Sequence, residues 1–495
     1  MSSQLLRRAS IWYLCLPNLL FFFYWTSGFV RISGLVLCLF ILYTISKDQR
    51  FSDEKVFTWR DMLVIGGFSL ILTCVSGISG LCYQTFDYWC HNTKFYELFK
   101  YDWPIRIPDD GPVIAYYYGF YLVPALYSKM IGSISEGAIF LWSYLGLLLG
   151  VSWLYLSLHR SIFFVFIVLG VGDLPHVLKS IFFKLFGYLY EFGDFGVEAW
   201  SNFENLLWVP NQVIPTLIIG GMLFHTLKKR IDLETMVLPV ALSFWWAVFP
   251  AFTSGLLIGI LIVVQWLRNN ETFNLRRVVL DVMLPCLCCL PILILYLSHE
   301  KAPISGFLWQ FPDHMPSRVL EYFINIGLNI LVFYLAFRFI KGSGTSRIPA
   351  LPFFLILLFI TVFPIYRIGK VNDFLFRGLM PLLIVAGLYL YEGISDQNGL
   401  NAFFQRAKKA PLLFILALLL ASSSLITVGR IVRAASVNVA THRIAPDQVS
   451  FQPIPYDAYP NIYEVLKAKW SQMEADQYLG KKDSLYELFI APAKD

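Results

Sequence analysis

Between residues 11 and 428 the chain returns repeatedly to uninterrupted apolar runs about as long as a bilayer is thick. A helix of about 20 apolar residues crosses ~30 Å of hydrocarbon, and few folds accommodate many such runs. Bounding the runs by charges and turn residues gives segments near 11–25, 29–46, 61–83, 134–157, 161–172, 208–227, 234–251, 253–267, 277–297, 317–340, 349–366, 374–391 and 411–428. The expected fold class is an all-α polytopic membrane protein with about 13 transmembrane helices. Composition agrees: 15% of residues are charged, against about 25% in an ordinary soluble domain. The first run follows Arg7-Arg8 without a small-residue cleavage site, so it is expected to stay as a helix.

Residues 113–130 are long enough to cross, yet they carry Tyr116, Tyr117, Tyr118, Tyr121 and Tyr127 together with Pro124 and Lys129. Tyrosine collects at headgroup level, so an interfacial or re-entrant helix is expected in this first large loop. Leaving it uncrossed sorts the basic clusters Arg7-Arg8, Lys47 to Arg60, His159-Arg160, Lys228-Lys229-Arg230, Arg276-Arg277 and Lys408-Lys409 to one side, the cytoplasm. These clusters account for the net charge of +6 as orientation signals, and no nucleic-acid partner is expected.

The other side then receives loops 84–112, 173–207 and 298–316, the turn 367–373 and the C-terminal tail. The chain divides into a membrane domain, 1–429, and a small extracytoplasmic tail, 430–495. That tail is too short to trust as an independent core, and it is expected to pack on the loops as a lid. Seven of the eight cysteines lie in apolar runs and Cys90 lies in the first loop, with no metal or disulfide spacing. There is no Walker motif, no Gly-rich dinucleotide fingerprint and no internal repeat.

Four constellations on the outer face could carry chemistry. Asp87 and His91, spaced i, i+4, share one side of a helix if the loop begins helically. A carboxylate there, partly dehydrated, can act as a general base toward a hydroxyl; the competing reading is a helix-end acid at the interface. Asp173 ends an unusually short span, which either places a carboxylate in a cavity or simply terminates a helix. Glu198 precedes Trp208-Val209-Pro210-Asn211-Gln212, where Pro210 opens a helix and the amides of Asn211 and Gln212 can bond sugar hydroxyls, phosphate or a neighbouring helix. Finally Arg367, Lys370 and Arg377 stand on the outer side against the charge trend, beside Asn372 and Asp373. Such cations call for an anion, a lipid phosphate or diphosphate, unless Arg377 only pairs with Asp373 at i, i+4.

Nucleotide sugars and ATP are not available on that face, so chemistry there needs a substrate activated beforehand and delivered in the membrane. The stretches Asp87-Tyr88-Trp89-Cys90-His91-Asn92, Trp208 to Gln212, Asn372-Asp373 with Arg377, and Tyr478-Leu479-Gly480-Lys481-Lys482-Asp483-Ser484 are similar to a bacterial branch related to the GT-C superfamily of membrane glycosyltransferases. The architecture resembles that superfamily over most of the chain.

The resemblance implies a polyprenyl-phosphate sugar donor, with Asp87 as the base. Many relatives have two adjacent acids in this loop; here Asp87 stands alone and the nearest doublet is Asp109-Asp110. The expectation is an inverting transferase of a bacterial cytoplasmic membrane that acts on a glycan, lipid or protein acceptor. Arg367, Lys370 and Arg377 would stabilise the leaving phosphate, while Asp173 and Glu198 would orient the acceptor or bind a divalent cation. No nucleotide cofactor is expected. Alternatives are a polysaccharide polymerase or ligase that uses lipid diphosphate glycans, and a transporter or flippase of such lipids.

Overall fold

The apolar runs fold as helices. The computed structural model describes residues 1–172, 199–268, 274–301, 305–310, 315–340, 348–369, 372–412 and 453–493, with scattered positions in 174–185 and 414–436. Of the described residues 74% are helix and 3% strand. In order the helices are α1 (Ser3–Tyr24), α2 (Gly28–Lys47), α3 (Trp59–Val75), α4 (Tyr88–Lys100), α5 (Gly119–Ile131), α6 (Glu136–Ser157), α7 (Ile162–Gly170), α8 (Asn202–Trp208), α9 (Pro210–Lys229) and α10 (Val237–Ser243). They continue with α11 (Val248–Arg268), α12 (Leu275–Tyr296), α13 (Met315–Ile340), α14 (Leu351–Val362), α15 (Phe374–Ile394) and α16 (Gln397–Lys409). Three short helices follow in the tail: α17 (Ile462–Lys469), α18 (Gln472–Asp476) and α19 (Leu485–Phe489).

Among the described residues five helices are long and apolar enough to cross a membrane, namely α2, α6, α11, α12 and α15. The protein is therefore a helical membrane protein.

Local chemistry sets the boundaries. Thr58 and Asp61 form a reciprocal capping box at the start of α3, and Ser135 accepts from the Ala138 N–H at the start of α6. The run expected to continue to residue 83 stops at Val75, because Gly77 turns left-handed (φ 87°) and a Cβ there would meet the Tyr83 carbonyl oxygen at 2.8 Å. Helices α6, α9 and α15 form the centre of the bundle. Gly150 lies under Leu217 and Gly221 under Trp153, where an added Cβ would come within 2.6 Å of either neighbour. Small residues thus bring these backbones together, as membrane helices require in the absence of a hydrophobic drive.

The basic clusters meet at one end of the bundle. Lys228 pairs with Glu392 at 2.8 Å, Arg160 with Asp61 at 3.5 Å and Arg277 with Asp232 at 3.0 Å. At the opposite end a two-stranded antiparallel ribbon joins Ser305–Phe307 to Tyr366–Ile368, and the tail spreads over the loops. The Ile454 N–H donates to Gln84, the Ala115 N–H to the Tyr478 carbonyl (2.9 Å) and the Lys481 N–H to the Ser298 carbonyl (2.7 Å). Arg106 pairs with Glu487 at 3.1 Å, and the Tyr486 hydroxyl donates to the Trp25 carbonyl.

The tyrosine-rich stretch departs from expectation. Tyr116, Tyr117 and Tyr118 precede α5 rather than ride on it, and all three are buried. The Tyr116 ring stacks on that of Tyr117, centroids 4.6 Å apart, and packs at a tilt against Tyr118 and against Tyr478 of the tail. They form an internal wall, not a headgroup belt, because the tail supplies the partners that lipid headgroups would otherwise provide. Tyr127 remains half exposed.

Candidate functional site

Asp87 is the residue before the first turn of α4, and its side chain does not cap that helix. It is left to face a cavity of about 90 Å³. His91 and Lys94 follow on the same face, one and two turns along. The far wall is the corner between α8 and α9, with Val209 and Asn211, and the start of α15, with Asp373 and Arg377. Residues of the tail, including Trp470, Glu474 and Tyr478, close it from above. Five residues expected at a site, Asp87, His91, Asn211, Asp373 and Arg377, thus line one cavity although they come from three distant stretches of sequence.

The charges are unevenly satisfied. Arg377 Nε stands 3.1 Å from Asp373 Oδ1, and its Nη1 donates to the Tyr117 hydroxyl at 3.4 Å. The Asp87 carboxyl has no hydrogen-bond or ion-pair partner among the described residues; burial pushes it above the usual carboxylate range, against the opposing pull of Arg377 and Lys94. Burial also raises Asp373. Lys94 is 2% exposed and lies 4.4 Å from the centre of the Tyr121 ring and 4.8 Å from that of Tyr116. Burial brings its ammonium down to about 8, while Glu97 and Asp87 act to retain the charge. The tyrosine faces partly replace the water that an ammonium loses.

His91 is fixed by protein on both sides. Its Nε2 lies 2.8 Å from the Trp208 carbonyl and must donate there, so Nδ1 accepts from the Tyr121 hydroxyl at 2.6 Å. Burial and nearby Lys94 hold it well below the usual imidazole range, hence neutral. Expected as a ligand-binding residue, it instead pins α4 to α5 and to the α8–α9 corner, offering the cavity a ring edge.

Asn211 is the opposite case. It is 1% exposed, and neither its amide nitrogen nor its oxygen has a hydrogen-bond partner. Leaving such a group unpaired costs about 1–3 kcal/mol, which a polar ligand in the cavity would recover. Pro210 places it on the first turn of α9, whose N-terminal dipole adds positive potential.

Of the other expected residues, Gln212 donates to the Tyr117 hydroxyl at 3.1 Å and supports the wall from behind. Arg367 lies buried in the ribbon, its Nε donating to the Gly369 carbonyl at 2.9 Å, and it does not line the cavity. Asn372 takes a left-handed conformation (φ 56°) and donates to the Pro364 carbonyl, shaping the turn that delivers Asp373. Asp173, Glu198 and Lys370 lie outside the described residues. The sequence reading missed Lys94, Tyr117 and Glu474 at this cavity, and it singled out Tyr478 only as part of the stretch 478–484, with no place at a site. The i, i+4, i+7 spacing of Asp87, His91 and Lys94 marks Lys94, whereas no local signal marks Glu474. Among the described residues no cluster of three or more His, Cys, Asp or Glu side chains could hold a metal ion.

The arrangement offers an unpaired carboxylate, two cations and an unbonded amide in a largely dehydrated space. It could take a proton from a hydroxyl while holding an anion. In comparisons with known proteins, no family model, no curated protein and no solved structure matches the chain.

Proposed function

We propose that this protein is a membrane glycosyltransferase that moves a sugar from a polyprenyl-phosphate-linked donor to an acceptor hydroxyl on a glycan, lipid or protein, with inversion at the anomeric carbon. On this reading about 13 of its segments cross a bacterial cytoplasmic membrane. The basic end of the bundle then faces the cytoplasm and the cavity faces outward.

Asp87 takes the acceptor proton as the acceptor oxygen bonds to the anomeric carbon. The bond from that carbon to the phosphate oxygen breaks, and the electron pair leaves with the phosphate. Arg377 and Lys94 stabilise that departing charge, and Asn211 orients the donor. Asp373 holds Arg377 in place. Arg367 stays with the ribbon that frames this end of α15. The observation that supports the reading most is the unbonded, buried Asn211 amide in the same cavity as an unpaired carboxylate and an arginine.

A cavity of about 90 Å³ holds a few waters rather than a sugar ring. Donor binding therefore entails displacement of the tail residues above it, Trp470 and Tyr478. The test is consumption of polyprenyl-phosphate sugars by the purified full chain in lipid, with Asp87→Asn beside it. Loss of the base should slow turnover by about 10²–10⁴-fold. Equal turnover by the two would remove Asp87 as base, and no consumption of any lipid-linked donor would overturn the transferase reading.

A further inference from the structure

At the other end of the bundle a larger cavity, of about 970 Å³, opens between α1, α2, α10 and the start of α12. It is independent of the candidate site. The 22 residues of α1 separate the two ends by about 33 Å, with Arg7 beside the lower cavity and Trp25 bonded to the tail at the upper end. Helices α2 and α12 touch at Cys38 and Cys288, whose sulfurs lie 3.6 Å apart. Below that contact the cavity lies between residues 40–48 of α2 and 275–285 of α12. The α12 wall includes a π-helical stretch, Val278–Met283, a distortion common where helices serve ligands.

Three features point to a lipid. First, α2 and α12 are the least buried of the five candidate spans, 28% each against 44–83% for the others, so the cavity lies between the two helices most exposed to a bilayer. Tyr43 on one side and Leu275 on the other are 62% and 66% exposed.

Second, the lining charge is positive. Arg7, Lys47, Arg50, Arg276 and Arg277 face Asp48, Glu234 and Asp281. The acids are largely committed: Asp48 to Arg7 and Arg50, and Asp281 to Arg50 at 2.7 Å. Glu234 takes the Trp266 indole N–H at 2.7 Å at the back of the space. Arg277 pairs with Asp232.

Third, Lys47 and Arg276, one at the end of each bordering helix, have no ion-pair partner among the described residues and are exposed. Two cations without an ion-pair partner among the described residues, beside the apolar side chains Ile41, Tyr43, Leu275 and Leu280, match a phosphate headgroup with its acyl chains directed between the helices.

We propose that this groove binds an anionic phospholipid of the leaflet opposite the candidate site, its phosphate held by Lys47 and Arg276 and its chains packed on Tyr43 and Leu280. Charge selects the lipid here, because a zwitterionic headgroup would place its own cation against these two.

The test is native mass spectrometry of the purified full chain released from detergent with equal amounts of phosphatidylglycerol and phosphatidylcholine. Wild type should retain phosphatidylglycerol about tenfold over phosphatidylcholine. K47Q/R276Q should lose that preference, and K47R/R276K should keep it. Equal retention of the two lipids by wild type, or an undiminished preference in K47Q/R276Q, would overturn the proposal. Displacement of phosphatidylglycerol by excess inorganic phosphate would do so as well, since it would make this a site for free anions.

Discussion

Arg377 stands one helical turn beyond Asp373 and pairs with it at 3.1 Å, at the wall of the cavity that Asp87 also faces. The pair is both a structural ion pair and part of the site, and the two roles separate experimentally. Arg377→Met leaves Asp373 enclosed without its cation, which should lower stability by about 3 kcal/mol. Adding Asp373→Asn should restore much of that loss without restoring turnover. Thermal unfolding in detergent reads the first effect and donor consumption the second. Recovery of both in the double variant would make the pair structural only.

The proposed chemistry requires Asp87 ionised and Lys94 protonated. Burial raises the acid and lowers the lysine to about 8, so the two shift toward each other. The pH profile of kcat/KM should be a bell: an acid limb above the ordinary carboxylate range and an alkaline limb near about 8. Lys94→Arg keeps the charge and should remove the alkaline limb. A profile in which Lys94→Arg leaves that limb unchanged would assign it to another group.

Much of the helical layout is legible in the sequence, because a helix must be apolar along its whole length to meet lipid, and that requirement leaves a mark every 20 residues or so. The gathering of Asp87, Asn211, Asp373 and Arg377 was legible for a related reason: each is a polar residue at the end of an apolar run, and such ends meet at the same depth. The tyrosines at 116–118 were not legible, since an aromatic facing lipid headgroups and one facing a protein wall look alike in sequence. Which it is depends on Tyr478, some 360 residues away. Glu474 was hidden for the same reason, as nothing local marks a helix turn as the roof of a distant cavity.

Glu97 ties α4 to the tail, with Oε1 2.9 Å from the Tyr118 hydroxyl and Oε2 accepting from the Ile462 N–H at 2.7 Å. Burial pushes its carboxyl up to about 8. A folded value above the unfolded one means that the group's stabilisation is complete below about 4.5 and is lost as pH rises through about 8. Tail docking should therefore weaken progressively between about 4.5 and about 8, while Glu97→Gln, which mimics the neutral acid, should lack that dependence. Thermal midpoints of the two from about pH 4.5 to about 8 give the comparison; parallel curves over that range would show that Glu97 does not titrate there.

Gly480 supplies the sharpest test of how the tail is seated. It forms a bridge with His299, and a Cβ placed on it would meet the Val113 carbonyl oxygen at 2.3 Å and Pro112 Cβ at 2.9 Å. The obstacle is backbone on one side and a rigid ring on the other, so neither yields by rotamer change. Gly480→Ala should cost about 1–3 kcal/mol of local packing and pull residues 478–481 away from Ala115 and Ser298, whose hydrogen bonds they supply. Because Tyr478 roofs the cavity and packs its ring at a tilt against Tyr116, the same change should open the site. Amide exchange should accelerate at residues 462–490 while the membrane helices stay protected. If the cavity needs the tail only as a cover, donor affinity should hold or rise as turnover falls; if Tyr478 and Glu474 hold the donor, affinity should fall with it. Unaltered exchange in the tail would mean that this contact does not seat it.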